Sequence, residues 1–310
     1  MRKMIDGHAH IRPAGIAGSR NEQFDVTYNK YGSLTLLHGK WTIQGMPEYV
    51  VDSEFTADTL VHVMDYNGIE KAVLMVAASS DLETSRKAGE KYPDRIIPAM
   101  WVHYNDDIDK EIRERYSQGF RIIKFETSTV LGYTHPTMYP DFKFNSDIMK
   151  KAFRVCEELN IPITIDPGVQ FSKGYQVEEL DEVIREFPKV HFIICHLGVP
   201  NYPHVNGSKE DLRWRQMLDL AKYPNVWFDI CAIPNLFKEE EYPYRSGVEL
   251  VKEFSDKYGY NKTIWGTDVP TTYVNCTFKQ MVNLFEKSPL FTDEQKDMMF
   301  YSNAKDAYFI

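Results

Sequence analysis

A (β/α)8 TIM barrel is the fold predicted by this 310-residue sequence. Three observations carry the prediction. Short apolar runs alternate with longer amphipathic runs, the mark of βα units that build a parallel sheet. The alternation can be counted eight times along the chain. The length suits one large barrel, since such folds often pass about 250 residues as one unit, so residues 1–310 read as one domain.

Strands are expected where β-branched and apolar residues run for a few positions and then meet Gly, Pro or an ionisable residue. In order these are Lys3–Asp6, Ala72–Val76, Ile96–Val102, Arg121–Phe125, Ile161–Ile165, His191–Cys195, Val226–Ile230 and Thr263–Trp265. Helices are expected between them. Thr56–Asn67 closes at Gly68 and Asp107–Gln118 at Gly119, each with the glycine that favours a left-handed residue past a helix end. Ser146–Leu159, Val177–Phe187, Ser208–Lys222, Ser246–Tyr258 and Thr277–Glu286 follow, and a last helix starts at Thr292. Ser208-Lys209-Glu210-Asp211 and Thr292-Asp293-Glu294-Gln295 resemble capping boxes.

Two connections are long. Ile11–Phe55 follows the first strand and Thr127–Asn145 the fourth. In a barrel both lie at the C-terminal face, where long βα loops form lids and specificity pockets. The segment 11–55 is therefore expected to be an inserted lid, with Arg12, Arg20, Lys40 and Trp41 as candidate substrate-binding residues. Guanidinium forks suit a carboxylate and Trp41 a planar ring. A solvated loop with scattered charge is the competing reading.

Composition excludes some classes of partner. The net charge of −9 leaves no basic footprint for nucleic acid. No stretch reaches the roughly 18 uninterrupted apolar residues of a membrane span. The first residues enter a strand at once, without the apolar core of a secretory signal, so a cytoplasmic address is expected. Cys156, Cys195, Cys231 and Cys276 are widely spaced and read as reduced core thiols.

The chemistry is signalled at strand ends. His8-Ala9-His10 closes the first strand, and residues two apart on an extended segment face the same way, so both imidazoles can aim at one ion. The fifth strand ends in Asp166-Pro167-Gly168, the sixth in Cys195-His196-Leu197-Gly198 and the eighth in Gly266-Thr267-Asp268-Val269-Pro270. Barrel chemistry draws on several such ends at once. Each residue also has a plain alternative: Asp166 and Asp268 as turn caps, His196 as a hydrogen-bonded core histidine. Lys124 and Glu126 face the same way at the end of the fourth strand and are read as an internal ion pair. His103, Asn105 and Asp229 are possible pocket residues.

The His-x-His pair, the His196-Leu197-Gly198 turn, the stretch Trp265-Gly266-Thr267-Asp268-Val269-Pro270 and the closing Asn303-Ala304 together resemble the amidohydrolase-related family. That family includes aminocarboxymuconate-semialdehyde decarboxylase, resorcylate-type decarboxylases and lactone or amide hydrolases. The resemblance implies His8 and His10 as metal ligands, Asp268 as a further ligand or the proton-handling carboxylate, and His196 as the catalytic histidine. At the fifth strand, where the family usually has a histidine ligand, this chain has Asp166. A carboxylate can stand in on zinc, and the harder donor set admits manganese as second candidate after zinc.

The expected activity is metal-dependent hydrolysis of a small carboxylated substrate, aromatic or a lactone, with Asp268 as base and His196 as polarising group. Non-oxidative decarboxylation of a hydroxybenzoate-like or muconate-semialdehyde-like acid is the alternative. A metal-free lactonase, or a barrel that has lost catalysis and only binds, is the second alternative. Relatives of this type often pair, so a homodimer is a candidate assembly.

Overall fold

The computed structural model describes residues 2–21, 25–36, 39–77, 81–128 and 134–310. Residues 22–24 and 37–38 of the expected lid, and 129–133 of the second long connection, lie outside the described residues. All eight expected barrel strands are present, as β1 (Met4–Ala9), β6 (Ile69–Leu74), β7 (Ile96–Met100), β8 (Ile122–Glu126), β9 (Ile163–Asp166), β10 (Phe192–Ile194), β11 (Val226–Asp229) and β12 (Thr263–Ile264). They pair in parallel in exactly that chain order. The chain is a (β/α)8 barrel.

Each expected helix forms, with ends within a few residues of its capping signals. Thr56 Oγ1 accepts from the Thr59 amide and Gly68 closes the helix in the left-handed conformation. Thr292 and Gln295 complete the expected capping box. Besides the one-turn helices His135–Met138 and Ile233–Leu236, the helix Leu82–Lys91, between β6 and β7, escapes the sequence reading. Gly89 weakens its helical pattern, because glycine loses more backbone freedom than any other residue. The structure explains the glycine, since a Cβ there would lie 2.8 Å from Cγ of Pro98 on β7.

Residues 11–55 are more ordered than a loop. They hold a four-stranded antiparallel sheet, β2 (Arg20–Asn21), β3 (Val26–Tyr28), β4 (Ser33–Leu36) and β5 (Trp41–Gln44), in sequential order. Cross-strand partners Val26–Leu36, Tyr28–Leu34, Leu34–Ile43 and Leu36–Trp41 put these six residues on one face. Thr27, Thr35 and Thr42 take the other, with the hydroxyls of Thr35 and Thr42 3.2 Å apart. This apolar–Thr–apolar alternation is a period-two strand signal present in the sequence.

The barrel closes along a seam between β1 and the residues that follow β12. The Gly7 amide donates to Trp265 O (3.0 Å), Asp268 N–H to His8 O (2.7 Å) and His10 N–H to Val269 O (2.7 Å). Buried Asp6 adds a clamp by accepting from the Thr267 hydroxyl (2.6 Å), the Thr267 amide (2.9 Å) and the His8 amide (3.1 Å). The chains approach too closely here for side chains. A Cβ on Gly266 would lie 2.9 Å from His8 N, and one on Gly7 2.5 Å from Ile264 Cγ2. Gly266→Ala must shift the β1 backbone, so it is expected to cost about 1–3 kcal/mol in urea unfolding and to displace His8.

Candidate active site

The seam is what brings the N-terminal histidines to the C-terminal aspartate. His8 Nε2 lies 3.1 Å from His10 Nε2, His10 Nε2 lies 3.4 Å from Asp268 Oδ1, and His8 Nε2 lies 3.8 Å from the same oxygen. Two ligand atoms at about 2.1 Å from a tetrahedral ion are about 3.4 Å apart. The three atoms therefore have the spacing of three ligands on one divalent ion, with room for a fourth position. An ion held by these residues would supply Lewis acidity and acidify water at that position.

His8 is held in one tautomer. Its Nδ1 donates to Asp229 Oδ2 at 2.9 Å, and both side chains are fully buried. With the proton placed on Nδ1, the Nε2 lone pair is free to face the ligand position. Burial and the neighbouring Lys124 ammonium lower the imidazole to about 4 against the pull of Asp229, so the ring is neutral. Asp229 has more than this one partner. Its Oδ1 accepts the His196 amide at 2.7 Å and the Cys231 thiol at 2.9 Å. Burial alone would raise Asp229, but His8, His196 and Cys231 outweigh it and hold the carboxyl below the ordinary range.

His8, His196, Asp229 and Cys231 also lie close enough together to suggest a second ion site. Its internal hydrogen bonds decide against it: the Cys231 thiol keeps its proton and donates it to Asp229, which also accepts from His8 Nδ1 and the His196 amide. His196 Nδ1 in turn lies 3.1 Å from Cys231 Sγ, and burial beside Asp229 holds that thiol protonated. The cluster is a hydrogen-bonded support under the site.

His196 stands on an unusual turn. His196, Leu197, Gly198 and Val199 all have positive φ, of 58°, 52°, 68° and 60°. For the three non-glycine residues this costs about 1 kcal/mol or more each. The turn is held from outside. Trp214 Nε1–H donates to Leu197 O at 2.7 Å, the Tyr175 hydroxyl to Gly198 O at 2.9 Å, and Asp229 takes the His196 amide. The strain orients the imidazole so that Nδ1 meets Cys231 and Nε2 faces Asp166 Oδ2 at 3.4 Å.

Asp166 is thus placed against His196. Among the described residues it joins neither group of side chains with metal-ligand spacing, which leaves the ligand role considered for it without geometric support. Its Oδ1 accepts the Gly168 amide at 3.1 Å, so the turn-cap role is also filled. Burial disfavours the His196 cation, but Asp166, with Asp229 and Asp268, outweighs it and raises the ring to about 9. Asp268 is held below the ordinary carboxylate range: burial opposes this, and His10, His196 and His8 outweigh it.

Lys124 and Glu126 form the expected internal pair at 3.8 Å, both buried, and Lys124 Nζ also lies 3.5 Å from His8 Nε2. His103 turns away to Glu111 at 3.0 Å. Above the site lies a cavity of about 300 Å³, floored by His10, Lys124, Asp166, His196 and Asp268 and roofed by the lid sheet. Arg12 lines it, with Nη2 donating to Gly45 O at 3.2 Å. Arg20, Lys40 and Trp41 are not among its lining residues. Arg20 pairs with Asp25 at 3.0 Å, Lys40 is exposed, and Trp41 is 52% exposed at the open end of the lid's inner face.

The amidohydrolase family model matches residues 5–310. The chain belongs to the amidohydrolase family. Among curated relatives, the uncharacterized protein y4mH of Sinorhizobium fredii is 27% identical over 140 residues, 43% of this chain. That alignment spans only 44% of the relative's length.

Solved structures share the fold along most or nearly all of the chain. A probable 2-pyrone-4,6-dicarboxylic acid hydrolase from Acinetobacter baumannii, with citric acid bound, is 18% identical with a TM-score of 0.69 and 99% of both chains covered. An amidohydrolase from Burkholderia multivorans with bound zinc is 13% identical with a TM-score of 0.71 over 99% of both chains. A 2,6-dihydroxybenzoate decarboxylase in complex with 2,6-dihydroxybenzoate is 14% identical, with a TM-score of 0.56 over 82% of this chain and 88% of that one. At these identities the likenesses establish the fold.

Proposed function

We propose that the protein is a hydrolase acting on a lactone, ester or amide of a small organic acid with the help of one divalent ion. The observation that carries this reading is the convergence of His8 Nε2, His10 Nε2 and Asp268 Oδ1 at ligand spacing beneath the lid-roofed cavity. His8, His10 and Asp268 would hold the ion, zinc by preference for this nitrogen-rich set and manganese as second candidate. Asp268 is the base that takes a proton from attacking water, being ionised and next to both histidines. His196, cationic beside Asp166, polarises the carbonyl and stabilises the oxyanion that forms there. Neutral His8 keeps its lone pair on the site because Asp229 holds its other nitrogen.

A specific contact supports a second reading, hydrolysis without a metal. Lys124 places an ammonium 3.5 Å from His8 Nε2, so a fixed cation already stands at the floor of the site. One experiment separates the two. Purified protein is analysed for zinc and manganese, then dialysed against chelator and assayed on neutral lactones and esters. The metal reading requires about one ion per chain and a loss of activity that zinc or manganese restores. Full activity of metal-free protein assigns the chemistry to Lys124 and His196. Carbon dioxide release from hydroxybenzoates, with no lactone or ester cleavage, would replace hydrolysis by decarboxylation.

The charge of His196 is open to direct measurement. Its pKa is raised from the ordinary 6.5 to about 9, so the cation persists through neutral pH and is lost as pH rises through about 9. NMR titration of the imidazole in chelated protein is expected to give about 9. In Asp166→Asn it is expected to fall towards 6.5, since the first opposing charge is gone. An unchanged titration would remove Asp166 as the partner.

A further inference from the structure

Hydrolysis needs two proton movements, and Asp268 performs only the first. It takes a proton from water while His196 holds the oxyanion, but the departing oxygen or nitrogen needs a proton of its own. The strand ends supply a donor. Glu126 closes β8 and Asp166 closes β9, and the two are cross-strand partners in register. Thr127 pins that register, its amide donating to Asp166 O at 3.0 Å and its hydroxyl to the same oxygen at 2.7 Å. Two carboxyl groups therefore stand side by side at the mouth of the barrel, both lining the cavity.

Neighbouring buried carboxyls resist ionising together, and their other contacts decide which one keeps a proton. Asp166 has His196 at 3.4 Å and the Gly168 amide at 3.1 Å. Burial would raise it, but His196, Lys124 and the Gly168 amide outweigh this and hold it well below the ordinary range. Glu126 has weaker support: Lys124 at 3.8 Å, beyond hydrogen-bond reach, and the Ser128 amide at 3.3 Å. Burial and then the Asp166 charge raise its carboxyl, so Glu126 is the member that takes the proton. Other donors on the cavity wall hold theirs too tightly or are already used. Burial would lower Lys124, but the anionic groups around it, Asp166 and Asp268 among them, raise it further. Burial pushes the Tyr28 phenol up to about 12, and the His196 proton serves Asp166 and the oxyanion.

We propose that Glu126 is the catalytic acid, giving its proton to the leaving oxygen or nitrogen as the acyl bond breaks. This rests on the hydrolase reading. The water oxygen bonds to the acyl carbon and its proton passes to Asp268. The bond to the leaving atom then breaks, its electron pair stays on that atom, and the Glu126 proton joins it. Solvent entering as the products leave takes the proton from Asp268 and returns one to Glu126.

Leaving groups of different basicity test the assignment, since an alkoxide needs the proton whereas p-nitrophenolate departs without one. The constant kcat/KM is measured on ethyl acetate and p-nitrophenyl acetate for the native chain and for Glu126→Gln, which keeps the shape. The variant is expected to lose about 100-fold or more on the ethyl ester and less than about 3-fold on the nitrophenyl ester. Equal losses on both would reduce Glu126 to a structural member of the site, and no loss on either would remove it from the reaction. Infrared difference spectra add a readout independent of turnover. At neutral pH the native chain is expected to show a protonated-carboxyl C=O band that Glu126→Gln lacks, and absence of that band overturns the proposal even if the variant is slow. If the band is present but the native chain cleaves no ester, lactone or amide, Glu126 still holds the proton and it is the hydrolase reading that fails, taking the leaving-group role with it.

Discussion

Asp268→Asn is expected to lower kcat/KM by about 10³-fold on any substrate the protein turns over. Among the described residues the carboxylate is the acid beside both His8 and His10, with Oδ1 3.4 Å from His10 and 3.8 Å from His8. It faces the cavity, and its neighbours keep it ionised. Asparagine keeps the shape and the backbone bond to His8 O but cannot take a proton from water. Steady-state kinetics, with metal content measured in parallel, decide between its two roles. Lost turnover with the ion retained makes it the base. Loss of both makes it chiefly a ligand. Full turnover in the variant would end the proposed mechanism.

Asp229→Asn is expected to weaken metal binding about 10- to 100-fold and to lower activity with it, although the residue never faces the cavity. The native carboxylate accepts three bonds at once, from His8 Nδ1, the His196 amide and the Cys231 thiol. An amide has one oxygen. If that oxygen stays with His196 and Cys231, the NH₂ group faces His8 Nδ1 and forces the proton to Nε2, where it occupies the lone pair that would bind an ion. If the amide flips, the His196 amide loses its acceptor and the left-handed turn loses a clamp. Titration of chelated protein with zinc measures the effect. Affinity equal to that of the native chain would show that the tautomer is set elsewhere.

The barrel and the principal groups of the site are legible in the sequence because each rests on a local signal. His8 and His10 follow an apolar run at strand spacing, and His196 and Asp268 stand where such runs stop and Gly or Pro turns begin. Asp166 illustrates the limit of that logic. Its position at a strand end is the same whether it faces an ion or a neighbouring imidazole, and only the fold shows His196 at 3.4 Å. Cys231 reads as one more core thiol until Asp229 and His196 are found beside it. Asp229 lies 221 residues from His8, and no local pattern reports a pairing at that distance. The lid strands did carry a local signal, three apolar–Thr–apolar triplets, hidden by their shortness and by the intervening glycines and charges.

The seam between β1 and the segment after β12 has a consequence for how the molecule is born. Asp6 and Thr267 are 261 residues apart, so the pocket depends on one of the longest loops the chain can close. Closing it has an entropic cost that local helices and neighbouring βα units do not share. A chain can regain its helices while the ring is still open, with His8 and Asp268 as strangers. Recovery of turnover after dilution from urea is expected to lag behind the far-ultraviolet helix signal. An ion that grips both ends of the polypeptide would act as a clasp, drawing the last gap shut by mass action.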